Sequence, residues 1–432
     1  MKYGLIGEHL PHSFSKEIHE SFAPYTYELC ELTPEEVGPF MEKADFSAIN
    51  VTIPYKERVM PYLADIHEAA RRIGAVNTVV WREGRLVGYN TDFFGLSALV
   101  RRIGISLADR KVLILGTGGT AHTARAVAEA EGAREILTAS RRPGEGQISY
   151  HDALLYHTDA EVIFNTTPCG MYPYPDGNDR ISGCPVDLSH FPSLVGVVDA
   201  VYNPLRTNLV SEARERGIPA EGGLYMLVAQ AVVASRIFLG EEIEGIVADP
   251  ATEALTDRVF LKIATDKENL VLTGMPASGK STVGRMLAEE LGRPFIDIDA
   301  EIVARAGCEI GEIFRRDGET AFRDLETAVI AEIANETKGA VIATGGGAIL
   351  RPQNVRALKR SGQLFFLDRP LPLLVPTADR PLSSNAADIR RRYIERYPLY
   401  LKTADVTVSN DTTPEEAIRL IRKEFFHEYS RH

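Results

Sequence analysis

The sequence feature that most constrains the fold is a phosphate-binding loop beyond the middle of the chain. The run Gly274–Ser281 matches the pattern G-x-x-x-x-G-K-[ST]. It directly follows the apolar run Asn269–Thr273, which predicts a buried strand, and it precedes a helix whose apolar residues recur at helical spacing. Glycines let backbone N–H groups close around phosphate oxygens, and the lysine reaches the outer phosphates. The sequence therefore predicts a nucleotide-binding βαβ domain that starts near Asn269.

The size and charge of the chain bound its architecture and its ligands. A chain of 432 residues is too long for one ordinary core, so two or three domains are expected. Its net charge of −12 argues against broad nucleic-acid binding, which requires a basic face. The four cysteines form no CxxC pair, so reduced thiols are expected rather than a zinc site. Without a leader-like start or a membrane-length apolar run, we expect a cytoplasmic protein that does not bind membranes.

A second nucleotide-binding pattern lies in the first half of the chain. The apolar run Lys111–Leu115 predicts a strand, and a glycine-rich loop and an alanine-rich helix follow it. The predicted loop residues are Gly116, Gly118, Gly119, Thr120 and Ala121. The next strand leads to Ser140, Arg141 and Arg142, where NAD enzymes usually carry an acid, whereas arginine suits a 2′-phosphate. We therefore predict NADP rather than NAD; the alternative is a pair of solvated loop arginines.

Strands alternate with helices in both halves of the chain, which predicts an α/β protein with parallel sheets. Further strands are expected at Tyr3–Ile6, Ile49–Ile53, Glu135–Thr138, Val162–Asn165, Val195–Asp199, Val341–Thr344 and Leu364–Leu367. The apolar run Leu224–Leu239 predicts a helix that packs back on the first domain. The pattern weakens between about Glu241 and Glu268, which we interpret as a partly helical linker.

Four motifs in the first hundred residues follow one another in a recognisable order. They are His12-Ser13-Phe14-Ser15, Asn50-Val-Thr52-Ile-Pro-Tyr-Lys56, Gly74-Ala-Val-Asn77 and Asn90-Thr91-Asp92. Together they resemble the shikimate dehydrogenases, and the resemblance extends over about Met1 to Gly240. It implies a two-lobed enzyme in which a Rossmann-like dinucleotide domain is inserted into a substrate-binding domain.

The resemblance also implies the roles of individual residues. Lys56 and Asp92 would form the catalytic pair, since reducing a ring ketone requires a proton for the developing alkoxide. The implied substrate ligands are Ser13, Ser15, Thr52, Lys56, Asn77, Asp92 and Gln230. Three alternatives need no ligand: Lys56 as a surface lysine, Asp92 as a helix N-cap, and Ser15 as the cap of a helix that starts near Lys16.

Two later segments resemble the family's cofactor side. Thr166 and Met171, in Asn165–Met171, would lie beside the nicotinamide, and so would Gly223 and Met226 at the start of the returning helix. Tyr225 stands where the family commonly has glycine, so a narrower pocket is expected. Tyr202 is expected at the cleft, with a buried core tyrosine as the alternative.

From about Asn269 onward, the sequence resembles the shikimate kinases, which are relatives of the nucleoside monophosphate kinases. The motifs are the phosphate loop, Asp297-Ile-Asp299, Phe322-Arg323-Asp-Leu-Glu326, Gly345-Gly346-Gly347, Asp379-Arg380-Pro-Leu382 and Arg396-Tyr-Pro-Leu-Tyr400. The implied ATP ligands are Gly274, Met275, Pro276, Ala277, Ser278, Gly279, Lys280, Ser281, Thr282 and Arg380. The implied shikimate ligands are Asp299, Arg323, Gly345, Gly346, Gly347 and Arg396.

The resemblance assigns chemistry to four of these side chains. Ser281 and Asp297 would hold Mg²⁺, Asp299 would act as the base for the attacking hydroxyl, and Arg380 would reach the transferring phosphoryl group from a lid. Asp297 and Asp299 are expected on an alternating strand, with both carboxylates on one side; capping or surface aspartates are the alternative. Arg323 and Glu326 are also compatible with an ordinary helical ion pair.

The segment Asp368–Thr377 before the lid is shorter and richer in proline than in the family. Two interpretations therefore stay open. In the first, the chain reduces 3-dehydroshikimate with NADPH and then phosphorylates shikimate with ATP and Mg²⁺. In the second, an active shikimate or quinate dehydrogenase carries a regulatory binding module or a kinase for another small polyol acid. The predicted domains are 1–95 with 225–245 for substrate, 96–224 for NADP, a linker at 246–267, and a kinase domain at 268–432.

Overall fold

The computed structural model describes residues 1–11, 13–173, 183, 185–374 and 386–429 of the chain. The chain divides into two compact units, residues 1–263 and 264–432. Each unit has its own sheets and its own buried core.

The first part of the first unit alternates strands with short helices. Its elements are β1 (Tyr3–Gly7), α1 (Ser15–Phe22), β2 (Glu28–Glu31), α2 (Val37–Lys43), β3 (Ala48–Val51), β4 (Asp65–Ile66), α3 (Glu68–Ile73), β5 (Thr78–Arg82), β6 (Arg85–Tyr89) and α4 (Asp92–Arg102). The six strands form one sheet in the order β2-β1-β3-β5-β6-β4.

This first sheet is mixed, so the expectation of purely parallel sheets is wrong here. Strand β5 pairs antiparallel with both β3 and β6. The two-residue connection between β5 and β6 is Glu83-Gly84, and both residues have positive φ, 49° and 76°. A turn with two left-handed residues matches the twist of antiparallel strands and joins them as a hairpin.

The second sheet of the first unit is wholly parallel, as the sequence predicts. Its elements are β7 (Lys111–Leu115), α5 (Gly119–Ala130), β8 (Glu135–Ser140), β9 (Ile148–Ser149), α6 (Tyr150–Tyr156), β10 (Val162–Asn165), β11 (Gly196–Asp199), α7 (Asn208–Glu215) and β12 (Ala220–Glu221). The order β12-β11-β10-β7-β8-β9 places β7 between β8 and β10. From β7 the chain builds β8 and β9 on one side, and it then crosses back to build β10, β11 and β12 on the other side. The loop after β7 therefore lies at the switch point where such sheets bind ligands.

Three helices complete the first unit and lead out of it: α8 (Leu224–Phe238), α9 (Ile243–Ala248) and α10 (Pro250–Lys267). Helix α8 is confirmed close to its predicted bounds, and nearly all of its residues are buried. It packs closely on α4 because Gly95 has no side chain; a Cβ there would lie 2.5 Å from the carbonyl oxygen of Met226. Helix α10 occupies most of the predicted linker and spans the division between the two units.

The second unit contains one parallel sheet. Its elements are β13 (Asn269–Thr273), α11 (Lys280–Leu291), β14 (Phe295–Asp297), α12 (Ile298–Ala306), α13 (Ile310–Arg316), α14 (Gly318–Glu336), β15 (Val341–Ala343), α15 (Pro352–Ser361), β16 (Gly362–Asp368), α16 (Ala386–Thr403), β17 (Val406–Ser409) and α17 (Pro414–Tyr429). The order β14-β15-β13-β16-β17 places β13 in the middle. The loop after β13 therefore lies at the carboxyl edge of the sheet, between the neighbouring strands β15 and β16.

Among the helices in the described ranges, none combines the length and the apolar character that a membrane span requires.

Candidate active sites

The predicted catalytic pair of the first unit is in direct contact. The Lys56 ammonium donates to Asp92 Oδ2 at 2.6 Å, although the two residues are far apart in sequence. Their side chains are 18% and 13% exposed, so the pair is shielded yet reachable from solvent. Asp92 is the first residue of α4, and its N-cap Thr91 makes no side-chain capping bond. The Asp92 carboxylate thus faces Lys56, and Lys56 is not an isolated surface lysine.

A buried polar network begins at Thr91, the residue before Asp92, and includes two predicted substrate ligands. Thr91 joins them: its hydroxyl lies 3.2 Å from Gln230 Oε1, and its backbone N–H donates to Asn77 Oδ1 at 2.7 Å. Asn50 also belongs to this network, because its Nδ2 donates to Thr78 Oγ1 at 3.0 Å. Thr91 entered the sequence analysis only as the middle residue of a motif. Its linking role was not predicted, because no residue pattern reports a hydrogen bond between distant side chains.

The two predicted carboxylate-binding serines lie beside the start of α1. Ser15 is its first residue, and its backbone N–H donates to Ser13 Oγ at 3.3 Å. The N-cap is Phe14 and no side-chain bond caps the helix, so Ser15 is not a cap. Between the serines, the Phe14 ring contacts that of Tyr202, with ring centres 5.2 Å apart. Tyr202 therefore lies next to this loop, and burial raises the pKa of its hydroxyl.

The predicted dinucleotide loop follows β7 at the switch point of the parallel sheet. Gly116 has a φ of 107°, which a side chain would strain, and a Cβ there would lie 2.9 Å from Thr166 Oγ1. Gly118 is the N-cap of α5, and Gly119, Thr120 and Ala121 form its first turn. The Ala121 N–H donates to the Gly118 carbonyl at 2.8 Å, so the N–H groups of Gly119 and Thr120 are the ones at this helix start that suit a diphosphate.

The other predicted cofactor residues lie at neighbouring strand ends. Ser140 ends β8, its Oγ accepts from the Arg142 N–H at 3.2 Å, and Arg141 and Arg142 are both exposed. The loop that carries Thr166 and Met171 is held by Asn165, whose Oδ1 accepts from the Thr167 hydroxyl at 2.7 Å.

The start of α8 supplies the last group of predicted cofactor residues. Gly223 is its N-cap, where a Cβ would overlap the carbonyl oxygen of Ala200, and Met226 is buried in the first turn. The Tyr225 side chain points towards α10, where its hydroxyl donates to Asp257 at 2.9 Å.

The phosphate loop of the second unit has the backbone that an anion cradle requires. Gly274, Ala277 and Gly279 all have positive φ, which turns successive N–H groups inward. Lys280 is buried, and its ammonium donates to the carbonyl oxygens of Gly274 and Met275, both at 2.9 Å. The Ser278 hydroxyl is buried and has no hydrogen-bond partner within the described part of the chain.

The two aspartates of the second unit lie differently from the prediction. Strand β14 ends at Asp297, and Asp299 lies in the first turn of α12, so the expectation of one alternating strand is wrong. Asp297 caps α12 by accepting from the Asp299 N–H at 3.1 Å, and its other oxygen accepts from the Ser281 hydroxyl at 2.7 Å. The capping alternative and the contact with the phosphate loop therefore coexist.

The predicted shikimate ligands of the second unit converge beside the phosphate loop. Arg323 donates to Glu326 at 2.7 Å, and burial raises the pKa of Glu326 although Arg323 opposes the shift. A Cβ on Gly347 would overlap the Arg323 guanidinium, and one on Gly345 would lie 2.6 Å from Asp299 Oδ1. Arg396 donates to the Gly346 carbonyl at 2.9 Å. Gly345 and Gly347 thus make room for charged groups, whereas Gly346 lies against Pro276 of the phosphate loop.

Two residues without a predicted role hold this site together. The Tyr400 hydroxyl lies 2.9 Å from the carbonyl oxygen of Gly274 and 2.6 Å from that of Gly346. Asn410 Nδ2 donates to the carbonyl oxygen of Ser278 at 2.6 Å. Neither role was predicted from the sequence, because both side chains bind backbone carbonyl groups. Arg380, with the predicted lid Asp379–Leu382, lies outside the described residues.

Comparison with known proteins identifies both parts of the chain. Residues 5–79 match the family model described as the shikimate dehydrogenase substrate binding domain, and residues 276–425 match the shikimate kinase model. A shikimate dehydrogenase (NADP(+)) from Clostridium perfringens is 34% identical over 268 residues, which are 58% of this chain and 95% of the relative. One from Geobacillus kaustophilus is 35% identical over 261 residues, which are 55% of this chain and 92% of the relative.

Solved structures agree with these relatives. Shikimate dehydrogenase 1 from Peptoclostridium difficile has a TM-score of 0.53 at 31% identity, covering 61% of this chain and 99% of that chain. A chorismate mutase/shikimate 5-dehydrogenase fusion protein from Clostridium acetobutylicum has a TM-score of 0.51 at 35% identity, covering 60% and 97%. A shikimate dehydrogenase in complex with NADP+ has a TM-score of 0.50 at 30% identity, covering 60% and 95%.

Proposed function

Because the chain belongs to the shikimate dehydrogenase family and carries a shikimate kinase domain after it, we propose that it catalyses two consecutive reactions. The first is the NADPH-dependent reduction of 3-dehydroshikimate to shikimate. The second is the ATP-dependent phosphorylation of shikimate to shikimate 3-phosphate. The observation that carries the proposal is that each unit brings separate motifs of its own family into contact: Lys56 with Asp92 in the first unit, and Asp299 and Arg323 with the three-glycine segment in the second.

In the dehydrogenase reaction, bound NADPH supplies the hydride, and the protein supplies the proton and the orientation. The Lys56 ammonium, held by Asp92 at 2.6 Å, donates a proton to the oxygen of the carbonyl group as charge develops there. Ser13 and Ser15 bind the substrate carboxylate. Thr52, Asn77 and Asp92 bind the ring hydroxyls, and Gln230 forms a further hydrogen bond to the substrate. The link through Thr91 supports the assignment for Asn77 and Gln230.

The cofactor assignment rests on the loop after β7 and on the end of β8. The left-handed φ of Gly116 and the N–H groups of the first turn of α5 suit a diphosphate. The exposed Arg141 and Arg142 are placed to bind a 2′-phosphate, for which a guanidinium group supplies matching donors. We assign residues 96–224 to this NADP-binding lobe, and residues 1–95 with 225–245 to the substrate-binding lobe.

In the kinase reaction, the phosphate loop fits ATP because the buried Ser278 hydroxyl and the inward N–H groups of the loop suit phosphate oxygens. Ser281 and Asp297 would hold Mg²⁺, which needs only one or two protein ligands because it keeps several waters. Asp299 takes the proton of the attacking hydroxyl, and Arg323 and Arg396 bind the shikimate carboxylate.

A single product assay tests the proposal. The purified protein receives 3-dehydroshikimate, NADPH, ATP and Mg²⁺, and mass spectrometry follows the products. We expect shikimate 3-phosphate. Accumulation of shikimate alone would instead support the second interpretation, a dehydrogenase whose C-terminal half binds ligands or phosphorylates another acid; the shortened segment from Asp368 motivates that alternative.

Two variants separate the steps within the same assay. Lys280→Ala removes the ammonium that reaches the outer phosphates, so the reaction should stop at shikimate. Lys56→Ala removes the proton donor, so 3-dehydroshikimate should persist while added shikimate is still phosphorylated. Unchanged NADPH oxidation by Lys56→Ala would refute the assignment of that lysine.

A further inference from the structure

Four side chains join helices α4, α8 and α10 within the first unit. The Arg102 guanidinium lies 4.5 Å from the centre of the Tyr225 ring and 4.6 Å from that of Phe260. It also donates to Asp257 Oδ1 at 3.1 Å, and the Tyr225 hydroxyl donates to the same oxygen at 2.9 Å. The Arg102 side chain is only 11% exposed and is shielded from solvent, whereas the Asp257 carboxylate is 42% exposed. We call these four residues the Arg102 clasp.

The Arg102 clasp has no part in the binding of substrate or cofactor proposed above. Tyr225 was expected to narrow the pocket, yet its hydroxyl binds Asp257 and its ring packs edge-on against Phe260 with centres 5.3 Å apart. A cation held between two aromatic rings and a carboxylate is a directional contact, since each ring face and the carboxylate constrain the guanidinium. The cluster therefore fixes three helices relative to one another.

A second anchor shows how α10 lies along α8. At the far end of α8, Arg236 donates to Asp249 Oδ2 at 2.7 Å, immediately before α10 begins. The segments Tyr225–Arg236 and Asp249–Phe260 have the same number of residues, and each spans roughly 16 Å at about 1.5 Å per helical residue. These contacts place the start of α10 near the end of α8 and the second half of α10 near the start of α8, so the two helices run in opposite directions, and the Arg102 clasp is the anchor at the active-site end.

Two of the three helices held by the clasp, α4 and α8, carry proposed active-site residues. Asp92 is the first residue of α4, whereas Met226 and Gln230 lie in the first two turns of α8. The helices touch at Gly95 and Met226, and Thr91 binds Gln230. The clasp holds the last residue of α4, Arg102, against the first turn of α8, next to Met226. A shift of the first turn of α8 would therefore move Met226 and Gln230 relative to Asp92.

We propose that the Arg102 clasp positions α8 against α4 for hydride transfer, which makes Asp257 and Phe260 of helix α10 positioning residues of the dehydrogenase. This inference rests on the proposed dehydrogenase function. Hydride transfer depends steeply on the placement of the two reactants, and a misplacement of about 1 Å can cost on the order of a hundredfold in rate.

The test uses the full chain and measures both activities in each preparation. Phe260→Ala opens space beside Arg102, and Asp257→Asn removes the negative partner; each should lower kcat for shikimate formation about tenfold. Kinase kcat and KM should stay at the wild-type value. Phe260→Tyr keeps an aromatic ring against Arg102 and should restore most of the dehydrogenase kcat.

The matched control is Arg236→Gln, which breaks the distant anchor of the same helix. It should lower the thermal stability of the protein and leave dehydrogenase kcat within about twofold of wild type, because the active-site end stays clasped. Folded Phe260→Ala with wild-type kcat and KM would overturn the proposal, as would loss of kcat in Arg236→Gln to the same extent. A wild-type protein without dehydrogenase activity would overturn the proposed function and this inference with it.

Discussion

Replacing Gly347 by alanine would probe the proposed shikimate site of the kinase with a single methyl group. The new Cβ would overlap the Arg323 guanidinium. Arg323 has little freedom to move, because its side chain is only 9% exposed and it donates to the buried Glu326 at 2.7 Å. Its displacement would remove a hydrogen bond to the substrate carboxylate. A bond between charged groups contributes about 2 kcal/mol, so kcat/KM for shikimate should fall roughly 30-fold.

The assay is ADP release at varied shikimate, with dehydrogenase activity as the internal control. We expect kcat/KM for shikimate to fall, while KM for ATP and the dehydrogenase rate stay unchanged. In an Arg323→Ala background the methyl group has room, so Gly347→Ala should add little to the loss. A normal kcat/KM in Gly347→Ala, or full additivity in the double variant, would refute the reasoning.

Three further predictions concern the first unit. Arg141→Ala should raise KM for NADPH about tenfold and leave KM for NADH unchanged, since only NADPH carries the 2′-phosphate; equal losses would show that Arg141 does not bind this group. Asp92→Asn should lower dehydrogenase kcat about 100-fold by removing the anionic partner of Lys56, with kinase kcat as control. Burial lowers the pKa of His19 to about 3. Below about pH 6.5 the unfolded chain therefore binds a proton that the folded chain does not bind, which costs about 2 kcal/mol of stability by about pH 5. His19→Phe should remove this acid sensitivity in urea unfolding followed by the fluorescence of Trp81, the single tryptophan; an unchanged loss would contradict it.

The parts of the fold that the sequence predicted well are the strands buried on both faces. Lys111–Leu115, Val162–Asn165 and Asn269–Thr273 are confirmed at their predicted bounds because each is a continuous apolar run. The hairpin of β5 and β6 was missed, since its connection is Glu83-Gly84 rather than the more typical Asn-Gly. Because this one turn was not recognised, the first sheet was predicted to be parallel, whereas it is mixed.

The candidate sites were predictable where motifs supply the side chains themselves. Lys56 and Asp92 are in contact as the motif order implies. The position of Asp299 was not predictable. An alternating pattern over three residues fits a strand that continues, and it fits equally well a strand that ends and caps a helix. Tyr400 was also missed, since its partners are the backbone carbonyls of distant glycines, and any residue can supply a carbonyl.

Helix α10 illustrates a more general limit of pattern analysis. Its stretch of sequence carries no strong apolar periodicity and was interpreted as a linker. At its active-site end, α10 is held on the first unit by a guanidinium, a carboxylate and aromatic rings, contacts that need a few well-placed residues rather than an apolar stripe. Such a segment has the composition of a linker, although Asp257 and Phe260 belong to the first unit. Substitutions at Asp257 or Phe260 should therefore be judged by dehydrogenase kinetics, although both residues precede the second unit by only a few positions.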